Sequence, residues 1–203
     1  MGDRSGLNVV INHDGSVVGA GAPYNWVAYG PEDSGYVRVF EFNDESSSWI
    51  QKGQENEIRS GECMSLDSSG STITIGVGNE SGHVTVYDWI LFIWIKRGED
   101  FDHGQFGSSV SLNDAGTVVA IGSPFASRGC TSGVMKRNGF REETESEVVD
   151  DEFGWSISLN SSGDTALVGT PDAGDYYQGI VYVYEWDAGG LVWNLKEKIQ
   201  GGE

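Results

Sequence analysis

The chain repeats one unit four times, and that restricts its fold more than any single motif does. The stretch Ser109 to Pro124 aligns without a gap on Ser156 to Pro171, and the same frame recurs from Asn8 to Pro23 and from Met64 to Gly78. Two independent glycines mark the phase. An opening glycine falls at Gly6, Gly61, Gly107 and Gly154, and a turn glycine at Gly15, Gly70, Gly116 and Gly163; both sets are spaced by 55, 46 and 47 residues. Within each unit the apolar spacing is two, as in Val37 to Phe42, Val84 to Trp89 and Val181 to Trp186. That alternation belongs to half-buried strands, and no helical periodicity accompanies it.

Each unit reads as four strands. The first follows the opening glycine, and an Asx-Gly-type turn leads to the second, which ends at Gly-x-Pro in three copies. A variable loop precedes the third, and a hairpin leads to the fourth around Trp49, Trp94 and Trp193. Four antiparallel strands per repeat make a propeller blade. The expected fold is therefore all-β: a β-propeller of four four-stranded antiparallel blades in one domain, 1–203, with blades near 1–56, 57–99, 100–148 and 149–203. The stretch after Gly154 joined to the head before Gly6 matches the longest internal interval, so four whole blades are expected, either a closed ring or part of a larger one. In the third repeat Val134, Met135, Lys136 and Arg137 break the alternation and Glu142, Glu143, Glu145 and Glu147 follow, which leaves its outer strands undefined.

Composition agrees and narrows the partners. Thirty glycines against four prolines suit repeated tight turns. A formal net charge of −19 repels phosphates and anionic lipid, so neither nucleic acid nor a membrane surface is an expected partner. The most apolar run, Trp89 to Ile95, is far short of the roughly 20 residues that span a bilayer in a helix. Met1-Gly2-Asp3-Arg4 leads into no apolar run, so no secretory signal is expected in this stretch. Cys63 and Cys130 fit free thiols packed as small hydrophobes better than a disulfide or zinc framework.

Phe106-Gly107 and Phe153-Gly154, followed by Gly122-Ser123-Pro124 and Gly169-Thr170-Pro171, resemble the FG-GAP repeat, the blade unit of integrin-α-type β-propellers, and most closely the tandem FG-GAP-like arrays of microalgal proteins. The resemblance covers essentially the whole chain. It departs at Ser5 and Ser60, which stand where the opening Phe belongs, and at Gly76-Val77-Gly78 in place of Gly-x-Pro. The likeness implies an interaction module in an extracellular or cell-surface setting. It also implies calcium loops of the Asp-x-Asp-x-Asp-Gly kind, in which several oxygens converge on a hard cation. Here those loops read Asn12-His13-Asp14-Gly15, Asp67-Ser68-Ser69-Gly70, Asn113-Asp114-Ala115-Gly116 and Asn160-Ser161-Ser162-Gly163. None supplies three spaced carboxylates, so they read as turns and no cofactor or metal is expected.

Catalytic chemistry is not apparent in the sequence. His13, His83 and His103 fall at different repeat positions, no Gly-x-Ser-x-Gly elbow occurs, and the carboxylates at Glu99, Asp100, Asp102 and Asp150 to Glu152 read as solvated linkers between blades. The loops between second and third strands are richer: Tyr24, Trp26 and Tyr29 in the first blade, Phe125 in the third, Tyr176 and Tyr177 in the fourth. Beside the acidic linkers these aromatics form a candidate binding face for a protein or a carbohydrate. The Trp89 to Ile95 run, which replaces a polar hairpin turn, is a candidate surface for homo-oligomers. A non-catalytic interaction module is the leading expectation. An assembly module that completes a larger propeller or oligomer is the alternative, and a hydrolase or lyase at the propeller mouth the third.

Overall fold

The computed structural model describes residues 4–23, 35–53, 61–77, 82–102, 107–124, 132–137, 140–145 and 152–201. Among these residues it is all-β, with seventeen strands in four antiparallel sheets. The first sheet is β1 (Asn8–Ile11), β2 (Val17–Ala22), β3 (Tyr36–Asn43) and β4 (Ser48–Gln51), joined in that order. The second is β5 (Cys63–Leu66), β6 (Thr72–Val77), β7 (His83–Ile90) and β8 (Ile93–Lys96). A short β9 (Phe101–Asp102) also pairs with β7, so this sheet has five strands where four were expected. The third sheet is β10 (Ser109–Leu112), β11 (Val118–Ser123), β12 (Ser132–Arg137) and β13 (Phe140–Glu145), and the fourth β14 (Ser156–Leu159), β15 (Thr165–Thr170), β16 (Ile180–Asp187) and β17 (Val192–Gln200). The outer strands β12 and β13, which the sequence pattern left undefined, both form, with Val134 opposite Ile121 and Glu143.

The turn glycines do what their position demands. Gly15, Gly70, Gly116 and Gly163 have φ of 80, 67, 65 and 69°, in the left-handed region where a Cβ is penalised. Beside each, an Asx side chain closes the turn. Asp67 Oδ1 accepts the amides of Ser71 and Thr72 at 2.8 and 2.9 Å, Asn113 Oδ1 those of Thr117 and Val118 at 2.8 Å, and Asn160 Oδ1 those of Asp164 and Thr165 at 3.0 and 3.1 Å. These oxygens serve the backbone of their own loops.

Successive sheets pack face to face, and the apolar core is divided accordingly. Val17, Val37 and Val39 of the first sheet meet Met64, Ile73, Ile75 and Trp94 of the second. Val84 meets Leu112, Val119 and Ile121 of the third, and Val118 and Ala120 meet Phe153, Ala166, Val168, Tyr182, Tyr184 and Trp193 of the fourth. Burying each such branched or aromatic side chain contributes about 2 kcal/mol. Phe153, the opening Phe of the fourth repeat, is fully enclosed and packs edge-on against Tyr182 with ring centroids 5.3 Å apart.

Polar contacts tie the second and third of these junctions at the first strands. Cys63 Sγ donates to Gly107 O at 2.7 Å, and Ser109 Oγ to Gly154 O at 2.8 Å. Two residues on, the hydroxyls of Ser65 and Ser111 accept the amides of Leu112 and Leu159, both at 2.9 Å. A ladder also runs through the turns: His13 N donates to Ser68 O, Ser68 N to Asp114 O and Asp114 N to Ser161 O, at 3.3, 3.0 and 3.1 Å. Among the described residues no backbone hydrogen bond joins the fourth sheet to the first.

Candidate functional site

Of the six loop aromatics expected to form a binding face, Tyr24, Trp26, Tyr29 and Phe125 lie outside the described residues. Tyr176 and Tyr177 sit in a single 3-10 turn between β15 and β16, with left-handed φ of 64 and 58°. That backbone turns both rings outward, 93% and 77% exposed. Two adjacent tyrosines held out in solvent can stack on a flat apolar surface and donate hydrogen bonds at its edge.

Among the described residues of the acidic linkers, Asp100 and Glu152 have shifted acidities. Asp100 is pulled two ways: burial raises its pKa, while hydrogen bonds from Lys96 Nζ and Thr85 Oγ1, both at 2.5 Å, lower it and prevail. Glu152, at the head of the fourth sheet, is raised by burial and then by the charge of Asp172. His13 lies in a turn and His83 in β7, while His103 is outside the described residues. Among the described residues no group of three or more His, Cys, Asp or Glu side chains could hold a metal ion.

The Trp89 to Ile95 run forms the end of β7, a turn and β8. Leu91 and Phe92 occupy the turn with φ of 49 and 68°, positions where Asn and Gly are usual, and both stand out in solvent. Behind them Trp89 and Trp94 pack with centroids 5.2 Å apart. The buried Trp94 donates its Nε1 to Lys52 O at 2.9 Å, and the Lys52 ammonium lies 5.4 Å from the Trp89 ring. An open groove of about 410 Å³ here is lined by Phe42, Ile50, Lys52, Trp89 and Phe92.

Exposed apolar side chains not expected from sequence also stand on the outer faces of the first and fourth sheets. Val9 and Ile11 of β1 are 69% and 64% exposed. Their repeat equivalents Met64, Leu66, Val110, Leu112, Ile157 and Leu159 pack into the cores between sheets. On the fourth sheet Leu167 and Ile199 are exposed, and an open groove of about 340 Å³ passes over Ser156 and Gly169 between Trp155 and Ile199. The signal for the first of these faces was present in the repeat alignment, in which Val9 and Ile11 share the apolar positions of residues that pack between sheets.

No family model matches the chain, and no curated protein matches it. Solved structures do share its fold. Hydrazine synthase of Kuenenia stuttgartiensis matches with a TM-score of 0.55 at 10% identity, over 87% of this chain and 51% of that one. A functionally unknown protein from Desulfotomaculum acetoxidans matches with a TM-score of 0.58 at 12% identity, over 96% of this chain and 56% of that one. The chain therefore spans about half the length of the solved chains it resembles.

Proposed function

We propose that the chain is a non-catalytic interaction module: a β-propeller segment of four FG-GAP-like blades that works by binding another macromolecule through its exposed faces. The observation that carries this reading is the contrast in burial at equivalent positions, with Val9 and Ile11 in solvent and Met64 and Leu112 enclosed. Apolar sheet faces of this kind are costly to leave open and mark contact surfaces. The sheet-on-sheet order with four-stranded meanders supports the propeller assignment, and the half-length match to larger chains supports a segment over a closed four-bladed ring. A photo-crosslinking residue placed at Val9 or at Leu167, in the cells that make the protein, is expected to give discrete adducts. The same residue at Ser46, in an exposed turn of the first sheet, is expected to give none. Equal labelling at all three, or none at the end faces, would overturn the reading.

A second reading, binding of a protein or glycan at the loop level, is favoured by the solvent-facing pair Tyr176 and Tyr177. It predicts that Tyr176→Ala and Tyr177→Ala together abolish hits on a glycan array.

A further inference from the structure

At the second and third interior junctions the earlier sheet presents the same thiol or hydroxyl groups to the later one, and the fourth sheet presents them again with nothing opposite among the described residues. Ser156 stands where Cys63 and Ser109 donate to an opening glycine, and Ser158 where Ser65 and Ser111 accept an amide; both are exposed. The Ser161 amide continues the turn ladder without an acceptor among the described residues. Gly169 is equivalent to Gly76 and Gly122, where a Cβ would overlap the carbonyls of Gly107 and Gly154; at Gly169 it would crowd Ser156 alone, and the open groove lies above it. Lys196 is paired with Glu185 as Arg97 is with Asp88, but Arg97 also reaches across to Gly116 O and Lys52 to Gly70 O at 3.2 Å.

The complementary set lies on the outer face of the first sheet. Gly6 has the left-handed φ of 88° shared by Gly107 and Gly154 at 95 and 88°, yet it is exposed where they are buried, with nothing within 4 Å of a Cβ. The Ile11 amide occupies the place of the Leu112 and Leu159 amides, the His13 carbonyl that of the Asp114 and Ser161 carbonyls, and Val9 and Ile11 supply the apolar contacts.

We propose that these two faces bind each other between copies: the fourth sheet of one chain docks on the first sheet of a second copy in the register of the interior junctions. The proposal rests on the interaction-module reading and names its partner. Two copies satisfy both faces of each chain in a closed, head-to-tail pair, and eight sheets is the upper end of common propeller rings. The charge of −19 on each copy opposes the contact, so added salt strengthens it.

Light scattering on the purified protein from low to high concentration, with hydrogen exchange on the same samples, tests this. The expected result is a rise from 21.9 kDa to twice that mass, with the Ile11 and Ser161 amides slowing at least tenfold in step. Gly169→Val should weaken association at least tenfold without unfolding the chain, and so should Val9→Arg. A mixture of the two variants should regain a single contact and form a pair. Three results would each overturn the proposal. One is doubled mass with both amides unchanged. Another is association that Val9→Arg abolishes and Gly169→Val spares, which is pairing of like faces. The third is a monomer at all concentrations, whether its amides exchange freely or are already protected by closure within one chain. In that last case crosslinks from Val9 and Leu167 in cells would still uphold the interaction module, with a different partner.

Discussion

The junction between the third and fourth sheets and the bare outer face of the fourth sheet are made from the same repeat positions, and they differ only in having a neighbour. Ser109, Ser111 and Gly122 are engaged by Gly154 and Leu159, while Ser156, Ser158 and Gly169 meet solvent. A residue type in a repeat protein therefore has no fixed energetic worth; what stands opposite decides it. The junction between the first two sheets teaches the same from the other side. Asn8 and Val10 hold the positions of Cys63 and Ser65 there and make neither bond, and apolar contact through Val17, Val39, Ile73 and Ile75 carries the junction instead.

The sharpest way to break this comparison is to substitute the equivalent glycines. Gly122→Val drives a side chain into the Gly154 carbonyl and should cost about 3 kcal/mol or more, because backbone cannot step aside as a side chain does. Gly169→Val should shift stability by only about 0.5 kcal/mol, as at an open surface. Urea unfolding of the two variants measures the difference, and equal losses would mean that the fourth sheet is covered in the monomer.

A pH titration sharpens it next. Burial raises the Cys63 thiol from 9.0 to about 12, with the Gly76 backbone acting the other way. The folded state holds its proton more tightly than the unfolded one. The stabilisation is therefore complete below pH 9 and declines between pH 9 and about 12, at up to about 1.4 kcal/mol per pH unit. Cys63→Ser keeps a donor for Gly107, as Ser109 does for Gly154, and should remove that component of the slope in urea titrations repeated across this range.

The smallest expected effect separates two serines. Ser111→Ala deprives the Leu159 amide of its acceptor and should cost about 1 kcal/mol, while Ser158→Ala should be neutral in the monomer. If both cost the same by thermal unfolding, the hydroxyls act through their own strands and the junction argument fails.

Much of this architecture was legible because its signals are local. The turn glycines announce a left-handed φ, and Asn12, Asp67, Asn113 and Asn160 sit where an Asx oxygen can close the loop. Strands β3, β7 and β16 alternate visibly. Strands β12 and β13 do not; they form by pairing outward from β11, whose edge is a template their own residues do not encode by pattern. The two-residue β9 is too short to carry a period. In the candidate site, Tyr176 and Tyr177 were identified by their place in the repeat, but their outward rings follow from a backbone conformation that no tyrosine advertises.

The sequence by itself determined the number of repeats, the strand order within each and the turns between strands, since hydrophobic alternation and glycine stereochemistry act over a few residues. Only the tertiary structure decided that Cys63 and Ser109 are hydrogen-bond pins, that the apolar core is divided among three junctions, and that the end sheets keep unmatched copies of the same groups. The physical reason is range. A hydroxyl or thiol finds its acceptor 44 or 45 residues away, across a gap between sheets, and only packing brings that acceptor into place or leaves it absent.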